Sequence, residues 1–141
     1  MGQRADATYD QTRPFTDRDG TFHPQGVTRE VTTSATSVTL DADDSGKVII
    51  ITGDDQTVTL PATESGLEYI IMVGGTSTSV GLSVAPNAAD QIIGNGFTAA
   101  DDKDAINTQA TERVGDTIHL IGDGSAGWYI VNVHGTWARE A

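Results

Sequence analysis

Val38-Thr39-Leu40, Lys47-Val48-Ile49-Ile50-Ile51-Thr52, Thr57-Val58-Thr59-Leu60-Pro61 and Glu68-Tyr69-Ile70-Ile71-Met72-Val73 follow one another with only short polar turns between them. Branching at Cβ restricts χ1 and suits a pleated surface, so all four runs read as strands. Asp41-Ala42-Asp43-Asp44-Ser45-Gly46, Gly53-Asp54-Asp55-Gln56 and Ser65-Gly66 have the Asp, Ser and Gly content of turns. Pro61 lacks an N–H and closes the third run. Lys47 to Thr52 runs as a continuous apolar strand with no polar alternate position from Val48 to Ile51, which predicts burial on both faces.

Downstream, Gly74-Gly75 and a Ser/Thr-rich link lead into Ser79 to Ala85, where Val80, Leu82 and Val84 alternate with small residues. That is the period-2 pattern of a half-buried strand. Asn87 to Asp104 is looser, anchored by Gln91-Ile92-Ile93 and Phe97 around the turn Gly94-Asn95-Gly96. We read Ala99 to Ala105 as one short helical turn. Thr117 to Ile121 and Trp128 to Val133 form a hairpin around Gly122-Asp123-Gly124-Ser125-Ala126-Gly127. These signals predict an all-β chain: one compact sandwich or barrel-like domain of about seven to nine short strands. No internal repeat is strong. Asp43 to Ile51 and Asp123 to Val131 share an acid/Gly turn followed by apolar residues, as in any β protein.

Residues 1–30 differ. They hold Pro14 and Pro24, show no periodicity, and offer Tyr9, Phe15, Phe22 and Val27 as bulky anchors. Such a segment cannot bury enough surface alone to offset its chain entropy. The expected division is an extended N-terminal arm, 1–30, disordered or laid over a neighbouring molecule, and a β domain, 31–141.

Charge divides the same way. Of a formal −12, nearly all falls on 31–141, because residues 1–30 carry four arginines against five acids. So acidic a body repels phosphate backbones, which argues against direct nucleic-acid binding. With no cysteine there is neither a disulfide framework nor a thiolate metal site. The first six residues lack an apolar signal core, and the longest apolar runs are too short to span a membrane. A soluble chain made in the cytosol, with no membrane partner, is the expectation.

Several motifs have plainer alternatives. Asp41 to Gly46 begins like a calcium loop, but Thr52 stands where the bidentate Glu belongs, and Lys47 to Ile51 is a strand. Gly122 to Gly127 matches G-x-G-x-x-G, yet a strand follows where the pyrophosphate would need a helix N-terminus. His23, His119 and His134 have no zinc or catalytic spacing, and Ser125 sits in no nucleophile elbow. Asp54-Asp55 and Asp101-Asp102 are adjacent and turn-like. No catalytic residue, cofactor or metal ligand is assigned. Trp128, Tyr129 and Trp137 are the one aromatic cluster; Trp128 and Tyr129 face opposite sides of a strand, so one is core. Trp137 is expected to cap the sheet or contact a partner.

The run from Val38 to Ile51, followed by Thr57-Val58-Thr59-Leu60-Pro61 and Gly66-Leu67-Glu68-Tyr69-Ile70-Ile71, resembles a segment of tailed-bacteriophage head decoration (capsid cement) proteins. Gly127 to Trp137 is similar to the endings of such chains. The likeness covers roughly 38–75 and 117–137, and related segments occur in phage tail and fibre proteins. It implies a non-enzymatic virion protein on the capsid exterior. Its partners would be the major capsid protein and itself, as a homotrimer at symmetry axes, with the arm helping to bind the shell.

On that footing the capsid-contact candidates are Phe15, Phe22, Val27, Thr28 and Val31. Thr28 to Ser34 would add a strand to a capsid sheet edge. Trp128 and Trp137 are the oligomer or ligand-contact candidates. The rival expectation is a tail or head-fibre module stacking host carbohydrate on Trp128, Tyr129 or Trp137. A small β hydrolase is a third.

Overall fold

The computed structural model describes residues 29–141 and, before them, the backbone of two short strands. Those two, β1 (Phe15–Thr16) and β2 (Phe22–His23), pair antiparallel with Phe15 opposite His23 and Thr16 opposite Phe22. The chain divides between Glu30 and Val31.

The body is all-β: two sheets packed together as a sandwich, with 3-10 turns at Ala42–Asp44 and Gln109–Thr111. Its first half is a coil. β3 (Val31–Ser34), β5 (Val48–Ile51) and β7 (Glu68–Val73) lie parallel in one sheet. β4 (Val38–Thr39), β6 (Thr57–Thr59) and β8 (Gly81–Ala85) lie parallel in the other. Parallel neighbours need a crossover, and here each crossover is itself a strand of the opposite sheet.

The coil rests on a repeat, in contrast to the expectation that no internal repeat is strong. Val38-Thr39-Leu40-Asp41-Ala42-Asp43-Asp44-Ser45-Gly46 returns as Val58-Thr59-Leu60-Pro61-Ala62-Thr63-Glu64-Ser65-Gly66. The two copies stack in register, Val38 on Val58 and Thr39 on Thr59. Gly46 and Gly66 have φ of +85° and +91°, the left-handed region that costs glycine no Cβ strain.

The second half is mostly antiparallel. β10 (Ala105–Thr108) pairs with β8, and β13 (Trp137–Arg139) with β10. In the other sheet β11 (Thr117–Gly122) pairs with β7, and β12 (Gly127–His134) with β11, shifting register between His119 and Leu120. β9 (Gln91–Ile93) runs parallel to β12 at the sheet's edge. The sheets are therefore five strands, β13-β10-β8-β6-β4, and six, β3-β5-β7-β11-β12-β9.

The hairpin at Thr117 to Val133 stands as expected. The helical turn at Ala99 to Ala105 does not: Ala105 opens β10, held by pairing with Val84 and Arg139. The strand count also exceeds expectation, because three-residue strands such as β9 and β13 carry too few residues to register as periodic patterns.

Between the sheets lies one apolar core, in which Ile49, Ile71 and Leu120 from the six-stranded sheet meet Leu40, Val58 and Val84. Trp128 is fully buried there, its ring centroid 5.4 Å from that of Tyr69. Buried carboxylates tie down loops: Glu112 accepts from the backbone N–H groups of Ser77 and Leu82, and Asp90 from that of Thr63. Among the described residues, no helix is long and apolar enough to cross a membrane.

Candidate functional site

Residues opposite one another in a ladder project to the same side of a sheet. The core claims Ile49, Ile51, Tyr69, Ile71 and Val73, so their neighbours in β5 and β7 point away from it. Three rows then cross the outer face of the six-stranded sheet. The first is Val31–Val48–Ile70–His119–Asn132 and the second Thr33–Ile50–Met72–Thr117–His134. The third is Glu68–Ile121–Tyr129–Ile93. Eight of these fourteen positions are large and apolar, and one carries a formal charge.

That face is only partly covered. Val31, Tyr129 and Ile121 are exposed, and Val48, Ile50, Ile70 and Met72 half-buried. Val131, at the irregular stretch of β12, adds another exposed side chain. The expectation that Val48 to Ile51 is buried on both faces is thus corrected: Ile49 and Ile51 are buried, while Val48 and Ile50 keep open surface. The sole acid in the rows, Glu68, lies with Oε2 3.1 Å from Nε2 of His119.

The outer face of the five-stranded sheet is the contrast. Its rows read Thr39–Thr59–Ala85 and Thr57–Ser83–Ile106–Ala138. Small and hydroxyl-bearing residues fill it, with Ile106 the single large apolar one. One outer face of the sandwich is thus lined mainly by small and hydroxyl-bearing residues and the other mainly by large apolar ones.

The motif sites resolve into structure. In Asp41 to Gly46 the carboxylates build the turn: Asp41 Oδ1 accepts from the N–H of Asp43, and Asp44 Oδ2 from that of Asp41. Lys47 Nζ donates to Asp44 Oδ1 at 2.8 Å and holds that carboxyl below its ordinary range. In the 122–127 loop, Asp123 Oδ1 accepts from the backbone N–H groups of Gly127 and Ser125, which lower its pKa. His134 stands 3.6 Å from the buried Asp116, which also accepts from Asn107 Nδ2. Among the described residues no group of three or more His, Asp and Glu is placed to hold a metal ion.

No protein-family model matches the chain, and no curated protein matches it. The outer face of the six-stranded sheet is therefore assigned from its own geometry.

Of the residues singled out from sequence, Trp128 has no exposed surface and Trp137 is 6% exposed, with its Nε1 donating to the carbonyl of His134. Of the Trp128–Tyr129 pair, Trp128 is thus the core member and Tyr129 the exposed ring, and Trp137 takes the capping alternative; neither indole offers an open face for a contact or a sugar in this fold. Val31 opens β3, so residues 31–34 belong to the body rather than to a free arm. Phe15 and Phe22 lie in the β1–β2 pair, while Val27 and Thr28 lie outside the described residues. Ile70, Met72 and Ile121 went unnoticed as surface residues; their alternation with core neighbours was the available signal.

Proposed function

We propose that this chain is a non-catalytic structural protein of a tailed-phage virion, a decoration protein that binds and stabilises the capsid shell. The observation that carries the proposal is the apolar outer face of the six-stranded sheet beside the Thr- and Ser-lined face of its partner sheet. A contiguous apolar patch of this kind marks an interaction surface in a soluble protein. The resemblance of Val38 to Ile71 and Gly127 to Trp137 to decoration proteins supports the virion setting.

The work would be mechanical. Protein bridging neighbouring major capsid subunits from outside, as a homotrimer at symmetry axes, adds contact area and opposes pressure from packaged DNA. The acidic turns then face solvent, where like charge keeps particles apart. The test is to mix the purified protein with undecorated capsids, pellet them, and count bound copies by mass spectrometry. Saturable binding at a fixed ratio to the major capsid protein is expected. No copies above background would overturn the proposal.

A further inference from the structure

From the composition of its outer face, we infer that the six-stranded sheet is the surface through which copies of this chain bind one another. The inference deepens the assembly proposal above and rests on the same face, but it names the occupant as a second copy.

Charge decides for a like partner. The chain carries −12 overall, and its exposed acids sit in turns such as Asp41, Asp43, Asp54, Asp101 and Asp102. An acidic protein drawn to a basic partner would present those acids to it. Two copies of an acidic chain meet best where acid is scarce, because like charges brought together in a desolvated contact repel. The outer face of the six-stranded sheet is such a place: Glu68 alone is acidic across three rows, and His119 lies against it.

Size agrees. Six strands at about 4.8 Å spacing and five residues at about 3.3 Å each give a face of roughly 24 by 17 Å. With side-chain relief its accessible area is on the order of 600 Å², one side of an interface at the lower end of the specific range. The edge of β3 borders the face, as the sheet order ends there. Nothing comparable exists on the other side, where Thr39, Thr57 and Thr59 face outward.

Sedimentation velocity of the full-length chain across the micromolar range, with variants, tests the inference. Wild type should associate, and Ile70→Glu should weaken association at least tenfold. Tyr129→Glu, at a more exposed position, should do the same with an unchanged circular dichroism spectrum and melting temperature. The chain has no cysteine, so single introduced thiols report directly. Met72→Cys should be shielded from maleimide as concentration rises, whereas Thr59→Cys should react equally fast throughout. A wild type that stays monomeric overturns the inference, as does an oligomer indifferent to Tyr129→Glu that leaves Met72→Cys open. Capsid pelleting separates the two claims. A monomer that binds shells through this face keeps the decoration function and loses self-association, and an oligomer that ignores shells does the reverse.

Discussion

Tyr69 donates its phenolic hydroxyl to the main-chain carbonyl of Asp41 at 2.6 Å, joining a core strand to the first acidic turn. Burial, and then the nearby carboxylates of Asp44, Asp41 and Glu64, push its pKa from 10.0 up to about 12. A raised pKa means that the folded state holds the proton more tightly. The resulting stability is whole below pH 10 and lost as pH climbs toward 12. Tyr69→Phe should cost about 1 kcal/mol at neutral pH. Its alkaline loss should be shallower than that of wild type by about 2 kcal/mol. Urea titrations at pH 8 to 12 measure both.

Neighbouring isoleucines in β5 should behave as opposites. Ile49 is 1% exposed and lies in the core, so Ile49→Asp buries an unpaired charge and should cost several kcal/mol, enough to unfold the body. Ile50 faces outward, and Ile50→Asp should remain folded. Far-ultraviolet circular dichroism and thermal melts decide, and equal melting temperatures would show that β5 is placed wrongly.

Glu112 should tolerate removal poorly. Its two oxygens satisfy the N–H groups of Ser77 and Leu82. Glu112→Ala leaves two donors near the core without a partner, at about 1–3 kcal/mol each. Glu112→Gln keeps one acceptor and should recover part of the loss in chemical denaturation.

Asp104 works against the fold at neutral pH. Burial first, then Glu140 and Asp102, raise its carboxyl to about 6, from 3.8. Its favourable contribution is complete below pH 3.8 and gone above pH 6, so ionisation is what destabilises. Asp104→Asn should gain roughly 1 kcal/mol at pH 7, after allowance for solvent screening, and nothing at pH 3.5. Paired thermal melts at the two pH values test the sign.

Deleting residues 2–30 should leave the body folded, because the chain divides between Glu30 and Val31. The melting temperature should shift only slightly. If Phe15, Phe22 and Val27 are buried on a shell, each worth about 1.5–3 kcal/mol, occupancy should fall by orders of magnitude. Equal numbers of bound copies at limiting concentration would dismiss the arm as an attachment device.

Much of this architecture was legible in the sequence. β-branched runs broken by Asp and Gly turns marked the strands, and alternation from Thr117 to Val133 identified the hairpin. Parallel stacking was harder to see, because it joins residues about twenty apart whose local patterns say nothing of their partner. The Val-Thr-Leu and Ser-Gly recurrence at 38–46 and 58–66 carried that information and went unread. The candidate face was half legible. Val48 to Ile51 announced two apolar sides, but which side lacked a cover depends on where the second sheet lies.

The stacking of 38–46 on 58–66 governs how a chain of this kind can change length. A duplicated stretch of about twenty residues would thread one more strand into each sheet and keep every inward residue inward. A single residue inserted within a strand would reverse that assignment, whereas one inserted in the turns around Gly46 and Gly66 falls outside the ladders. Length should therefore vary among descendants in whole windings, with single-residue drift gathered at the glycine corners.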